Sequence, residues 1–220
     1  MKKFLLLLLS IAIASSVFSQ SASFTATMQK YVAQLDTATN AATIQDMANK
    51  FERVALAESK EWLPNYYAAL CYVWISFMQK DVTKIDALVD KADALIETAM
   101  KINSNESEIF LLKGMSAAAR IMVDPMSRGM QYGTLAGSYY DKAIGLNADN
   151  PRAYLLKAQS TAYTPEQFGG GPLKAEPMLI TALEKFEKDQ PSTSILPHWG
   201  KDQADKLAAW IADMKKDVTD

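Results

Sequence analysis

The sequence predicts an all-α protein: an α-α superhelix of about four helical hairpins closed by a C-terminal capping helix. Two observations predict it. One part of the chain repeats another at a constant offset of 44 residues, and the segments between breaks carry apolar residues at helical spacing. The gap-free match sets Ala99 to Gly114 on Ala143 to Ala158, with Phe-Leu-Leu-Lys (110–113) meeting Tyr-Leu-Leu-Lys (154–157). The same offset carries Ala48 onto Ala92 and Ala136, Ala55 onto Ala99 and Ala143, and Tyr66 onto Phe110 and Tyr154.

Residues 1–20 read as a secretory signal: Lys2 and Lys3, an apolar run from Phe4 to Ile13, then small residues, with cleavage before Gln20 or Ser21. The apolar run is shorter than the ~20 residues needed to span a bilayer, and no later segment is apolar for that long, so no integral membrane segment is expected after cleavage. With its only cysteine at position 71, the chain offers no thiol near the cut for a lipid.

Residues 21–220 are expected to form one helical-repeat domain, with helices over 24–37, 43–58, 64–80, 83–102, 107–123, 131–147, 151–163, 173–188 and 200–217. In the fourth, Ile85, Leu88, Val89, Ala92, Leu95, Ile96 and Ala99 recur at i, i+3 and i+4. Pro125 after Asp124 reads as a stop and Pro151 as a start. The sharpest break is Phe168-Gly-Gly-Gly-Pro172.

Each unit pairs two helices. The first carries an aromatic followed four residues later by Leu70, Gly114 or Ala158; the second carries two alanines seven residues apart, with a further pair at Ala175 and Ala182. Small residues on facing helices let the axes come close, and Ile96, Tyr140 and Leu179 fill the remaining space. At these residues the chain resembles the tetratricopeptide-repeat family. The usual unit of that family is shorter, so longer helices or an extended turn near 124–133 must absorb the difference. The N-terminal unit departs further, since Glu52 stands where a large apolar residue is expected, and it reads as a degenerate cap.

Cys71 cannot form an internal disulfide, so stability must come from the packed core, which about 200 mature residues can supply. Losing Lys2 and Lys3 with the signal takes the formal charge from -2 to -4. Basic residues alternate with acidic ones throughout, so no basic face for nucleic acid is expected.

Catalytic and metal chemistry find little to build on. His198 is the sole histidine, with Ser192 and Ser194 as the nearest hydroxyls and no nucleophile elbow. Set between Pro197 and Trp199, it reads as a packing or capping residue, and Cys71 as a buried, inert thiol. No catalytic residue, metal site or cofactor is expected. Asp86, Asp90, Asp93 and Glu97 share one face of the fourth helix, which reads as a solvated face; the alternative is a weak divalent-cation site or an acidic docking strip. Gly169 to Gly171 read as a connector needing positive φ, the alternative being an anion site at the following helix start beside Lys174.

The family resemblance implies that the first helix of each unit lines a concave groove. Carried over by helix face, that wall comprises Tyr67, Cys71, Trp74 and Met78, then Met115, Ala119 and Met122, then Gln159 and Tyr163. Aromatic and methionine side chains there suit an apolar peptide, a helix or a flat organic molecule. Several would instead be core if the array closes on itself, with the helix from Gly200 to Val218 filling the groove and Trp62, Trp199 and Trp210 joining the closure. The expected function is an exported, monomeric, non-catalytic interaction module holding a peptide or protein partner. The alternative is a small-solute-binding accessory of an uptake system, because the Gly-rich turn resembles that of exported repeat proteins accompanying some solute transporters.

Overall fold

Small side chains set the spacing between neighbouring helices. In the computed structural model, which describes residues 22–219, Ala48, Ala92, Ala99, Ala136, Ala143, Ala175 and Ala182 are all buried at 0–1% exposure. The large residues beside them, Ile96, Tyr140 and Leu179, are buried too. Gly114 shows how tight the approach is: a Cβ there would lie 2.2 Å from the Tyr140 ring. Only glycine lets the ring in.

The helices are α1 over 22–36, α2 Ala41–Ala57, α3 Trp62–Met78, α4 Ile85–Ile102, α5 Ser107–Ile121, α6 Pro125–Leu146, α7 Pro151–Tyr163, α8 Pro172–Phe186 and α9 Lys201–Thr219, with no strand among the described residues. The hairpins are α3/α4, α5/α6 and α7/α8, and the first helices α3, α5 and α7 stand side by side. At the N-terminal end α2 packs on α3, and at the other end α9 packs on α8. The repeat extends to surface ion pairs. Lys113 binds Glu97, and 44 residues on Lys157 binds Asp141, each tying a first helix to the second helix of the hairpin before or beside it.

Residues 1–20, read as an export signal, lie outside the described residues. Among the described residues no helix is long and apolar enough to cross a membrane.

One boundary differs from the sequence expectation. α6 begins at Pro125 rather than near 131, because Asp124 caps it by accepting from the Ser127 amide at 3.1 Å and Pro125 suits a first helical position. The extra residues therefore become about two further turns of helix. In the degenerate first unit Ala48 is buried but Ala55 is only half-buried, and Glu52 accepts a 2.6 Å hydrogen bond from Tyr72.

Candidate functional site: the concave wall and its aromatic end

The face expected to form the groove wall is carried by α3, α5 and α7, and part of it is covered by the chain itself. Residues 187–200, the irregular segment joining α8 to α9, cross to α3 and return. Tyr67 donates its hydroxyl to the Ile195 carbonyl at 2.9 Å, and the Trp199 indole N–H donates to the Tyr66 hydroxyl at 2.8 Å. The Trp199 ring meets Trp74 edge-on at 6.2 Å. His198 places Nδ1 2.9 Å from the Leu196 carbonyl and Nε2 3.1 Å from Asp36 in α1. Gly200, at φ 109, makes the return bend, and a side chain there would press on Phe186, Leu155 and Arg152.

Beneath this strap runs a buried polar chain. Tyr66 donates to Glu108 at 2.8 Å; Glu108 also accepts from Asn150 and from Arg152 Nε, both at 2.7 Å; Arg152 Nη1 then donates to Asp189 at 2.7 Å. Trp199 at one end of the strap and Asp189 at the other are thus both fastened, through Tyr66 and Arg152, to one carboxylate. Glu108 and Arg152 occupy equivalent positions in successive repeats, 44 residues apart, so the repeat itself brings opposite charges together. Burial, reinforced by the Glu108 charge, pushes the Tyr66 and Tyr67 phenols well above their ordinary range and keeps them neutral donors.

Beside the polar chain opens a cleft of about 610 Å³, whose walls include Glu106, Glu108, Asp149, Glu184 and Asp189 against Arg152, Lys185 and Lys188. Its acids outnumber its bases. Such walls disfavour an anion and offer little to an apolar face.

The other end of the wall is different. The helix position that holds buried Ile75 in α3 and buried Ala119 in α5 holds Tyr163 in α7, which is 71% exposed. Among the described residues no hairpin covers it. Instead Trp210 of α9 stacks on the Tyr163 ring, with centroids 5.4 Å apart and planes 18° from parallel. The Tyr163 hydroxyl has no hydrogen-bond partner among the described residues. Phe168 in the α7–α8 turn, Leu173 at the start of α8 and Met214, one turn beyond Trp210 in α9, are exposed as well. The Tyr163–Trp210 stack thus leaves an aromatic ring open to solvent.

The residues expected on the wall therefore separate. Tyr67, Cys71, Met115 and Ala119 are core, Tyr67 stacking on Phe51 at 5.1 Å. Trp74, Met122 and Gln159 are half-buried, while Met78 and Tyr163 are exposed. What covers the wall is the strap and not the last helix, because α9 is held against α8 by Ala204, Leu207 and Ile211. Of the three tryptophans expected to join the closure, Trp199 packs over α3, Trp62 packs edge-on to Tyr66 at 5.6 Å, and Trp210 backs Tyr163. The strap and the Glu108–Arg152 pair escaped the sequence reading. Their one legible trace was opposite charge at equivalent repeat positions.

The remaining motifs resolve into structure. Arg120 of α5 reaches Asp86, Asp90 and Asp93 at 3.2, 2.7 and 2.7 Å, Arg128 holds Asp86 at 2.8 Å, and Lys113 takes Glu97. The acidic face is thus an interhelical ion-pair network rather than a bare solvated face, and the Arg128 hydrogen bond keeps Asp86 below its ordinary carboxylate range. Gly169 and Gly171 have φ of 86 and 113, as a connector requires, and Lys174 donates to the Gly169 carbonyl instead of standing free for an anion. Burial pushes the Cys71 thiol far up, which keeps it unreactive.

No protein-family model matches the sequence, and no curated protein matches it. The fold is similar to a solved structure, the HusA haemophore from Porphyromonas gingivalis. The TM-score is 0.77 and the identity 34%, over 84% of this chain and 90% of that one.

Proposed function

The chain belongs to the same family as the HusA haemophore, and on that footing we propose that it is an exported, non-catalytic binder of a flat tetrapyrrole, haem or a related porphyrin, held at the aromatic end of the concave wall. The scaffold in this reading is a tetratricopeptide-type hairpin array. The observation that carries the site is the solvent-exposed Tyr163 stacked on Trp210. A tetrapyrrole presents two broad apolar faces, and aromatic side chains with open faces or edges are the groups that complement them. The acid-rich cleft fits such a ligand poorly, since the peripheral carboxylates of haem would meet like charge there.

Of the two functions expected from the sequence, family membership favours the solute-binding one. A peptide laid along the α3 part of the wall would have to displace residues 195–199 and break their hydrogen bonds to Tyr66 and Tyr67. The aromatic end needs no such displacement.

Titration of ferric haem and of metal-free protoporphyrin, followed by absorbance and by tryptophan quenching, tests the reading. The expected result is saturable binding at micromolar concentration or tighter, weakened tenfold or more when Tyr163 and Trp210 are both replaced by alanine. An unchanged absorbance spectrum across the titration would overturn the ligand, and undiminished binding by the double variant would overturn the site.

A further inference from the structure

We propose that the ligand is recognised by its rim as well as by its faces: Lys206, one helical turn before Trp210 in α9, receives the peripheral carboxylates, with Gln159 of α7 as a second, neutral donor at the same level. This rests on the tetrapyrrole-binding reading above. Two observations lead to it, the register of α9 on α7 and the pairing of charge around the Tyr163–Trp210 stack.

The two helices run in the same direction. Gly200, just before α9, is so close to the first turns of α7 that a Cβ there would lie 3.3 Å from Leu155 and 3.4 Å from Arg152, and further along Trp210 stacks on Tyr163. Lys206 and Gln159 each precede one ring of that stack by four residues, so both stand one turn before it on the helix faces that bear the rings. Lys206 is exposed and Gln159 half-buried, and neither side chain has a hydrogen-bond or ion-pair partner among the described residues.

That freedom sets Lys206 apart. Every other lysine and arginine of α7, α8 and α9 is bound to a carboxylate or, in the case of Lys174, to the Gly169 carbonyl. The acids near Lys206 on its own helix do not neutralise it. Asp205 is held by Lys201 and Asp213 by Lys216, while Asp202 lies in the first turn, where the helix start itself favours an acid. A tetrapyrrole lying against the rings has its carboxylates at its edge, and the flexible four-carbon stem of a lysine lets an ammonium follow them. The acid-rich cleft repels the same groups, so charge fixes which edge of the ligand turns toward α9.

The experiment titrates metal-free protoporphyrin and its dimethyl ester, which keeps the ring and removes the rim charges, into the wild type, Lys206→Gln, Lys206→Glu and Lys206→Arg, read by tryptophan quenching at low and high salt. The wild type should prefer the diacid. Lys206→Gln should weaken diacid binding about threefold and Lys206→Glu further, with ester binding unchanged and the preference retained in Lys206→Arg. Salt should weaken diacid binding more in the wild type than in Lys206→Gln. Equal losses for diacid and ester in the variants, or a wild type without preference for the diacid, would overturn the carboxylate contact while leaving the aromatic platform standing. Failure of the wild type to bind either macrocycle would overturn the tetrapyrrole-binding reading itself.

Discussion

At the α3 end of the face formed by α3, α5 and α7, Tyr66 and Tyr67 lie beneath residues 195–199 with both hydroxyls engaged, whereas at the α7 end Tyr163 stands 71% exposed with its hydroxyl unengaged among the described residues. The same repeat builds both ends. What differs is the cover: the first is closed by a strap tied to a buried carboxylate, the second by a single stacked indole. A repeat array that buries its helix faces by stacking has no neighbour to bury the last one. Here the α7 end keeps Tyr163 exposed to solvent, and the hydrogen bonds that tie down residues 187–200 are gathered at the other end.

The largest test of that contrast is Glu108→Ala. It leaves the Arg152 guanidinium buried without its main partner and cuts the strap's two ties at their common point. Breaking one side of a buried ion pair costs about 3–5 kcal/mol. At 2–4 °C per kcal/mol for a chain of this size, the melting temperature should fall by about 10 °C. Amide exchange in 195–199 should quicken at the same time. A drop below about 1 kcal/mol would mean the polar chain is not what holds the strap, and the contrast between the ends would lose its physical basis.

Trp199→Phe should cost less. It removes the indole N–H donated to Tyr66 but keeps an aromatic ring beside Trp74, and the Tyr66 hydroxyl still donates to Glu108. A loss of about 1 kcal/mol in urea unfolding is expected. Tyr163→Ala sharpens the comparison from the open end. It removes only the stack on Trp210 from an exposed site, so stability should fall by no more than about 1 kcal/mol while tetrapyrrole affinity falls several-fold. Equal damage to stability and binding would make Tyr163 a core residue of the C-terminal cluster rather than a ligand platform.

The architecture was legible because it depends on short-range rules. Alanines seven apart on one helix face, proline at a helix start and an asparagine or aspartate cap are each readable within a few residues, and the 44-residue offset links them. The site was legible only in part. Of the residues expected on the groove wall, Met78 and Tyr163 are exposed, whereas Tyr67 and Met115 on similar faces are core. What separates them is the strap and the end of the array. Both depend on contacts such as Tyr67 with Ile195, 128 residues apart, which no local pattern announces. The acidic face of α4 is exposed as expected, but its pairing with Arg120 and Arg128 was not legible for the same reason, because they arrive from α5 and α6.

The smallest expected effect has an unusual sign. Glu106 caps α5 by accepting from the Glu108 amide at 3.2 Å, yet it sits on the wall of the acid-rich cleft, and burial raises its carboxyl above the ordinary value of 4.5. A carboxyl whose pKa is raised on folding favours the folded state most when protonated. That contribution is complete below 4.5 and is lost as pH rises through the folded value, so at neutral pH the ionised group is a cost. Glu106→Gln keeps an oxygen to accept from the amide and removes the charge. It should therefore raise the melting temperature at pH 7 by about 1–2 °C, within the ~0.5 kcal/mol of ordinary surface changes. The gain should vanish as the pH falls below 4.5, where the wild-type carboxyl is neutral as well. If the variant is instead less stable at pH 7, the attraction of the helix start for a negative charge outweighs burial at this position, and the cleft is wetter than its walls suggest.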